Sequence, residues 1–369
     1  MNVHSLERVV VQRAHRVDRR KDNLMEDKME KFGLGIMGCG DMGFWHARNL
    51  NKMKKVKIIA ASDINSDNLK RFTDEFQVKH SFSDYNRILD IKEMEGVLVS
   101  LPTFLHRTAV ISAANKGKHI FCEKPIAMNL KDADEMIEVC RENRVKFMLG
   151  FVRRFDNFWR KAREVIKENL LGRPVIWHDV NSSTGAPYDW YFDKKKGGGP
   201  LIDGAVHNYD FGHYTFGKVK KVYASTMNFK RDVSAIDTGS AIIEYESKDE
   251  QIISWSWGLP EGASGGQLTD VIGPKGALLF PGCFDEKEIP QSINQEKDGL
   301  FLLSLKEGEK EWIKWEKNDM FFDELLHFID CIRKDREPCV IGEDGKEALE
   351  VGLAILKSGE LGSAVEIEG

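Results

Sequence analysis

The chain has 369 residues, of which 41% are apolar and 31% are charged, and its formal net charge at pH 7 is −5. This length exceeds what one ordinary hydrophobic core accommodates, so the composition predicts a water-soluble globular protein of two domains. The negative charge argues against a nucleic-acid-binding protein, and no stretch approaches the ~20 apolar residues that a membrane helix needs.

The cysteines and the N-terminal residues restrict the possible class of protein further. The six cysteines form no Cys-x-x-Cys pair and no zinc-ligand spacing, which predicts reduced thiols, a cytoplasmic location and no metal site. Residues 1–30 are charged, lack Gly and Pro, and contain too many acids for a transit peptide. We expect a mobile extension, or a start placed too early, because Met25 and Met29 stand just before the first strand.

Residues 31–152 alternate apolar strand-like runs with amphipathic helical segments. The predicted strands are 32–37, 56–61, 96–100, 119–122 and 146–150. The predicted helices are 43–51, 65–76 with Asn65 or Ser66 as its cap, 103–116 ending at Gly117, and 129–143. Strict alternation of this kind predicts a doubly wound parallel sheet of the Rossmann type.

The strand–helix alternation ends after residues 155–171. The predicted strands that follow are 175–181, 221–228, 238–245, 251–257 and 267–272. Short turns between consecutive strands indicate an open, mostly antiparallel sheet. Two helices, 319–334 and 344–358, close the chain and are in a position to pack back on the first domain. The predicted fold is therefore α/β plus α+β, with a nucleotide-binding domain at 31–152 and a substrate-binding and oligomerisation domain at 153–369.

A glycine-rich turn joins the first strand to the first helix. The motif is Gly38, Cys39, Gly40, Asp41, Met42 and Gly43, which fits G-x-G-x-x-G in the strand–turn–helix context that dinucleotides require. Asp63 ends the second strand, where a carboxylate accepts hydrogen bonds from the adenosine ribose and repels a 2′-phosphate. The next residue is Ile64 rather than an arginine, so we expect NAD, with NADP the weaker alternative. A purely structural role for Asp63, in capping the following helix, remains the alternative.

Lys124 follows the fourth predicted strand of this half in the run Glu123-Lys124-Pro125. The carboxyl ends of parallel strands meet at the crevice where dinucleotides bind, so a cation is expected there. Farther along, a run of three glycines and Pro200 precedes Asp203, His207 and Asp210, which share one stripe if the segment is helical. A carboxylate one turn from a histidine fixes its tautomer and raises its basicity, although a lone helical histidine is more often structural.

These segments together resemble the Gfo/Idh/MocA oxidoreductases, the family of glucose–fructose oxidoreductase and inositol dehydrogenase. The resemblance runs from about residue 31 to the end of the chain, and the initial thirty residues have no counterpart in it. It includes the glycine motif, Glu123-Lys124-Pro125, the glycine run with Asp203-x-x-x-His207-x-x-Asp210, Pro102-Thr103-x-x-His106, and the segment 150–155.

The resemblance implies roles for individual residues. Lys124, Asp203 and His207 match the family's catalytic positions, and Arg153 matches a position that borders the sugar pocket of inositol dehydrogenases. The positions that the family places along the nicotinamide half of the cofactor are Ser100, Pro102, Thr103, His106 and Glu123. From the residues alone, Trp190 is a candidate pocket wall, and a satisfied surface histidine is the alternative for His106. The alternative for Arg153 is a solvated or salt-bridged pair with the adjacent Arg154.

The sequence thus predicts an NAD-dependent dehydrogenase acting on a secondary alcohol of a cyclic polyol or sugar. A non-catalytic NAD-responsive regulator and an NAD-assisted glycosidase remain alternatives. The antiparallel sheet, with Trp255 and Trp257 and its alternating isoleucines, predicts a homodimer or homotetramer. One of the two tryptophans is also a candidate for the opposite wall of the pocket, and core or interface packing is the alternative role of both.

Overall fold

The architecture is taken from a computed structural model, which describes residues 31–263, 265–291 and 296–367. The predicted N-terminal extension lies outside the described residues. The first sheet has six parallel strands in the order β3-β2-β1-β4-β5-β6. These strands are β1 (Phe32–Met37), β2 (Val56–Ser62), β3 (His80–Phe82), β4 (Gly96–Val99), β5 (His119–Cys122) and β6 (Phe147–Leu149). This is the strand order of the Rossmann fold, and it confirms the predicted class.

Four helices connect these strands. They are α1 (Asp41–Asn51), α2 (Ser66–Phe76), α3 (His106–Asn115) and α4 (Leu130–Glu142). The predicted cap of α2 is confirmed, since the Asn65 side chain accepts hydrogen bonds from the backbone N–H groups of Asp67 and Asn68. A short 3₁₀ turn, Thr103–Leu105, precedes α3 where one continuous helix was predicted. β1, β4 and β6 are buried along their whole length, as strands covered by helices on both faces should be.

The second half contains α5 (Asn157–Lys167), α6 (Val206–Phe216) and a nine-stranded sheet in the order β14-β13-β12-β11-β7-β10-β9-β8-β15. Its strands are β7 (Ile176–Ser182), β8 (Val219–Met227), β9 (Thr238–Tyr245), β10 (Glu250–Ser256), β11 (Gln267–Gly273), β12 (Gly276–Leu279), β13 (Asp298–Leu305), β14 (Lys310–Glu316) and β15 (Val365–Glu366). Every pairing is antiparallel except that of β7 with β10. The mostly antiparallel sheet was predicted, but β3, β12, β13, β14 and β15 were not.

The two C-terminal helices, α7 (Met320–Arg333) and α8 (Gly342–Leu361), pack against the first sheet's helices. The Phe321 ring on α7 contacts the rings of Trp45 and His46 on α1. On α8, Lys346 forms an ion pair with Asp134 of α4. The two C-terminal helices therefore add to the helical layer that covers the parallel sheet.

One face of the nine-stranded sheet is open. Strand register places Tyr223, Ile242 and Ile252 in one row across β8, β9 and β10, and the first two are about half exposed. Trp255 and Trp257 lie on the covered side, 9% exposed each, where they back Gly204. The expectation that these tryptophans form the apolar oligomer face was therefore wrong, because alternation along the strand points Trp255 inward.

Within the described ranges, no helix is both long enough and apolar enough to cross a membrane. All six cysteines are free thiols.

Candidate active site

A single elongated cavity of about 1000 Å³ runs along the carboxyl edge of the parallel sheet. Asp63 and Asp84 line one end, and Lys124, Asp203 and His207 line the other. The glycine-rich turn lies along it as well. Ligands of open α/β sheets bind in this crevice at the carboxyl ends of the strands. The predicted cofactor motif and the predicted catalytic residues therefore share one cavity.

The glycine-rich turn has the geometry of an anion-binding turn. Gly38 has a φ of +97°, and a Cβ there would lie 2.5 Å from the carbonyl oxygen of Ser100. A Cβ on Gly43 would collide with the carbonyl oxygen of Gly38. At the N-terminus of α1, no side chain among the described residues caps the helix. Its first N–H groups and the positive end of the helix dipole therefore point toward a phosphate position, which fits a dinucleotide.

Asp63 supports this turn directly. Its carboxylate accepts one hydrogen bond from the backbone N–H of Cys39 and another from that of Asn65, each 2.7 Å long. Each oxygen keeps a further lone pair, and Asp63 also lines the cavity. Its neighbour Ile64 is 91% exposed and supplies no positive charge. The structural and ribose-binding roles of Asp63 are therefore compatible.

Lys124 and Asp203 form an ion pair at the other end of the cavity. The Nζ of Lys124 lies 2.9 Å from Oδ1 of Asp203 and also donates to that residue's backbone carbonyl, 3.1 Å away. Burial raises the pKa of the Asp203 carboxyl, and the Lys124 cation opposes this rise. The ammonium has a third N–H available, so the pair presents a fixed donor to the cavity.

The chain around Asp203 is not the continuous helix that the sequence predicted. Residues Pro200–Gly204 form a π-helical turn, and α6 begins only at Val206. Asp203, His207 and Asp210 consequently do not share one face of a helix, and their side chains have different neighbours. Among the described residues, Asp203 makes no hydrogen bond to His207, and Asp210 makes none either, since its carboxylate pairs with Arg154. Neither carboxylate of the stripe therefore orients His207.

His207 lines the cavity beside this pair. Its ring packs edge-to-face on Phe151, with centroids 6.0 Å apart, and its Nδ1 is buried without a partner among the described residues. Burial lowers the pKa of His207 well below its usual value, and the cations of Lys124 and Arg153 add to this. The imidazole is therefore neutral at pH 7, which is the form that accepts a proton.

Glu123 lines the same cavity and is almost fully buried. Its Oε1 lies 2.6 Å from Nε2 of His46, and its Oε2 accepts the backbone N–H of Lys124 at 3.1 Å. Burial raises the pKa of this carboxyl, but the hydrogen bond from His46 and the Lys124 cation outweigh it and hold the pKa below its usual value. Glu123 is therefore a carboxylate at pH 7.

Two residues that the resemblance placed at the site lie beside the cavity rather than in its lining. The ring nitrogens of His106 face the carbonyl oxygens of Leu101 and Pro125, at 2.8 and 2.9 Å. It is buried, so the alternative of a surface histidine was wrong; it links the turns that follow β4 and β5. Arg153 hydrogen-bonds the Asn208 side chain and stacks its guanidinium 4.2 Å from the Trp159 ring centroid.

The loop between β7 and the π-turn covers the cavity. Trp190 and Tyr191 are stacked with ring centroids 3.7 Å apart, and both line it, as expected for Trp190. The Tyr188 hydroxyl donates to Asp41 at the glycine-rich turn, 2.9 Å away. This loop therefore spans from the catalytic end to the phosphate end.

Most of the predicted site residues line the cavity. They are Gly38, Gly40, Asp41, Met42, Asp63, Ser100, Pro102, Thr103, Glu123, Lys124, Trp190, Asp203 and His207. Four predicted residues do not line it. Cys39, Gly43 and His106 contact residues that do, whereas Arg153 contacts Asn208 and Trp159, which lie outside the lining. Lining residues that the sequence did not indicate include Asp84, Tyr85, Tyr191 and Phe321. Tyr191 and Phe321 come from the second half of the chain, so no motif of the nucleotide-binding half identifies them.

Fold and cavity together are those of an oxidoreductase that uses a nicotinamide dinucleotide. The family model described as the oxidoreductase family with an NAD-binding Rossmann fold matches residues 32–151, and the Gfo/Idh/MocA C-terminal domain model matches 159–279. These two matches cover more than half of the chain, which belongs to the Gfo/Idh/MocA oxidoreductase family.

Individual relatives align over almost their whole length. Myo-inositol 2-dehydrogenase of Thermotoga maritima is 28% identical over 340 residues, which are 91% of this chain and 98% of that protein. The NAD⁺-dependent scyllo-inositol 2-dehydrogenase of Bacillus subtilis is 26% identical, over 90% of this chain and 95% of its own length. The crystal structure of a probable dehydrogenase from T. maritima superimposes with a TM-score of 0.72 at 27% identity, covering 91% of this chain and 98% of that one.

Proposed function

We propose that the protein is an NAD-dependent dehydrogenase that oxidises a secondary alcohol of a cyclic polyol or sugar, or reduces the corresponding ketone. The observation that carries the proposal is the Lys124–Asp203 ion pair beside His207, in the same cavity as the glycine-rich turn and Asp63. The names of the inositol dehydrogenase relatives support the substrate class. We propose NAD rather than NADP because of the Asp63 carboxylate next to the uncharged Ile64.

In this mechanism the bound dinucleotide supplies a hydride acceptor or donor, and the protein supplies position, charge and a proton site. The neutral His207 accepts the hydroxyl proton as general base. The free N–H of the Lys124 ammonium donates to the same oxygen and stabilises the developing alkoxide charge. Asp203 holds that ammonium in place, so its role is to orient Lys124 rather than His207. In the reverse reaction His207 returns the proton.

The charge state of His207 sets the direction of the pH dependence. Its lowered pKa keeps the ring unprotonated across the neutral range, so alcohol oxidation proceeds there without a prior deprotonation. The same lowered pKa makes the imidazolium a stronger acid, so ketone reduction is favoured as the pH falls. Opposite pH dependences of alcohol oxidation and ketone reduction are expected when one proton-handling group serves both reactions.

The test is a panel of inositols, aldoses and sugar acids, each mixed with the enzyme and NAD while nicotinamide absorbance is followed. We expect at least one ring polyol or sugar to reduce NAD catalytically. Binding of NAD with no redox change on any substrate would contradict the proposal and favour a regulator. Cleavage of a glycoside with no net NAD reduction would instead favour the glycosidase alternative.

We propose further that the open face of the nine-stranded sheet joins two copies of the chain. Its exposed apolar side chains include Tyr223 and Ile242 on β8 and β9 and Leu268 and Ile272 on β11, each more than one third exposed. They share the face with polar residues such as the Ser240–Ser254 pair. Exposed apolar side chains grouped on one open sheet face are typical of an interface between identical subunits. We also propose that the boundary between the nucleotide-binding domain and the domain that contains this sheet lies between residues 152 and 153.

A further inference from the structure

Glu123 is a buried carboxylate to which the proposed proton chemistry gives no task. It ends β5, one residue before Lys124, and faces the cavity with 7% of its surface exposed. Gly150 stands opposite, where a Cβ would lie 3.3 Å from Oε2 of Glu123. The absence of a side chain at this position keeps the carboxylate open toward the cavity.

His46 on α1 is the residue that holds Glu123. It is fully buried between the rings of Phe121 and Phe321, with centroids 5.4 and 5.9 Å away. Its Nε2 contacts Glu123, whereas its Nδ1 has no partner within the described ranges. A proton on Nδ1 would leave a buried N–H donor unsatisfied. His46 therefore holds Glu123 by donating from Nε2, and Glu123 is the negatively charged member of the pair.

The groups that face Glu123 do not neutralise this charge. Those from its own strand and turn are Cys122 and Lys124, and those from other elements are His46 on α1, His106 on α3, Tyr191 in the covering loop, Asp203 in the π-turn and Glu324 on α7. Lys124 and Asp203 cancel each other. Burial raises the pKa of the Cys122 thiol, the Tyr191 hydroxyl and the Glu324 carboxyl and lowers that of the His106 ring, which in each case favours the uncharged form.

We propose that the Glu123 carboxylate, held by His46, makes this cavity bind the oxidised nicotinamide more tightly than the reduced one. The inference rests on the proposed function, in which the nicotinamide lies at the Lys124 end of the cavity. The oxidised ring carries one positive charge and the reduced ring carries none, so a fixed negative charge in a partly desolvated cavity stabilises only the oxidised form. His46 is a positioning residue that acts through Glu123.

The consequence is a lowered reduction potential of the bound cofactor. A charge pair in a partly buried site changes an equilibrium constant by about tenfold or more. For a two-electron couple, each tenfold preference for the oxidised form corresponds to about 30 mV. Bound NADH is then a stronger hydride donor than free NADH, and no additional reactant is required.

The test compares the dissociation constants of NAD⁺ and NADH, measured by calorimetry without substrate, in wild type and in Glu123→Gln. Glutamine keeps the size and an acceptor for the Lys124 N–H but removes the charge. We expect the ratio of the NAD⁺ to the NADH dissociation constant to rise by about tenfold or more. The matched control is Asp41→Asn, a cavity carboxylate at the phosphate end, which should change both constants alike and leave the ratio unaltered.

Two outcomes separate this inference from the proposed function. If wild type binds neither form, the proposed function fails and this inference fails with it. If wild type binds both forms and Glu123→Gln leaves the ratio within about twofold, only the charge role is overturned, since a merely structural residue would weaken both forms equally.

Variants of His46 provide an independent arm, which also decides the matter if Glu123→Gln fails to fold. His46→Leu removes the donor, so burial should raise the pKa of Glu123. Its ratio should then move toward the Glu123→Gln value as the pH falls from about 8 to about 6, while wild type stays flat because its Glu123 pKa is low. His46→Gln retains an N–H donor and should restore the flat profile. A wild-type ratio in His46→Leu at every pH would overturn the role of His46.

Discussion

Replacing Asp63 with asparagine should weaken the discrimination between NAD and NADP. The wild-type carboxylate ends β2, lines the cavity, and has two of its lone pairs occupied by the N–H groups of Cys39 and Asn65. The remaining lone pairs suit the ribose hydroxyls, and the negative charge opposes a 2′-phosphate. Asparagine keeps one carbonyl oxygen for the turn and removes the charge.

The magnitude follows from the charges involved. A carboxylate and one phosphate charge about 4 Å apart repel by about 1 kcal/mol in bulk water and by about 4 kcal/mol near a protein surface. Since about 1.4 kcal/mol corresponds to a factor of ten, these energies predict that wild type prefers NAD by about fivefold to several hundredfold. In Asp63→Asn this preference should fall by at least about fivefold.

The assay is the ratio of kcat/KM for NAD to kcat/KM for NADP, measured with one saturating substrate. Asp67→Asn is the matched control, because Asp67 lies exposed in the first turn of α2 and does not line the cavity. An unchanged ratio in Asp63→Asn, or an equal change in the control, would refute the assignment of Asp63 to cofactor selection.

Three further outcomes are expected. The acidic limb of kcat/KM for alcohol oxidation should lie below about pH 6.5, the usual histidine value, because burial lowers the pKa of His207; a limb at or above that value would contradict its role as the base. Asp210→Ala removes two hydrogen bonds from the buried Arg154 guanidinium and should lower the free energy of unfolding by about 3 kcal/mol in chemical denaturation. The control Asp134→Ala breaks an exposed ion pair and should lower it by less than about 1 kcal/mol. Equal losses in the two variants would contradict the reasoning. Ile242→Lys on the open sheet face should shift sedimentation toward the monomer, and unchanged assembly would refute that interface.

The parallel half of the fold was predictable because its strands are covered on both faces and so consist of nearly continuous apolar runs. β3, His80–Phe82, escaped detection because it is a three-residue edge strand with no buried residue. β14, Lys310–Glu316, has a pattern that the sequence does contain, since Ile313 and Trp315 alternate with charged residues. The two-residue period of this strand is recognisable only when the flanking turns are known, which is why the strand was not predicted.

The residue types of the site were predictable from motifs, but their contacts were not. Lys124 and Asp203 are 79 positions apart, and His46 and Glu123 are 77 apart, so only the folded chain brings them together. The π-turn at Pro200–Gly204 redirects Asp203 toward Lys124, and the sequence had indicated an ordinary helix start there. A proline after glycines is compatible with both an ordinary helix start and a π-turn. The sequence therefore indicated His207, rather than Lys124, as the partner of Asp203.

The central claim is that Lys124 stabilises the hydroxyl oxygen on the carbon from which the hydride departs. Single-turnover reduction of bound NAD, with the best polyol of the panel, should be slowed by at least about a hundredfold in Lys124→Ala, as expected for a lost oxyanion donor. The NAD dissociation constant of the folded variant should change little. Near wild-type hydride transfer in Lys124→Ala would contradict the account.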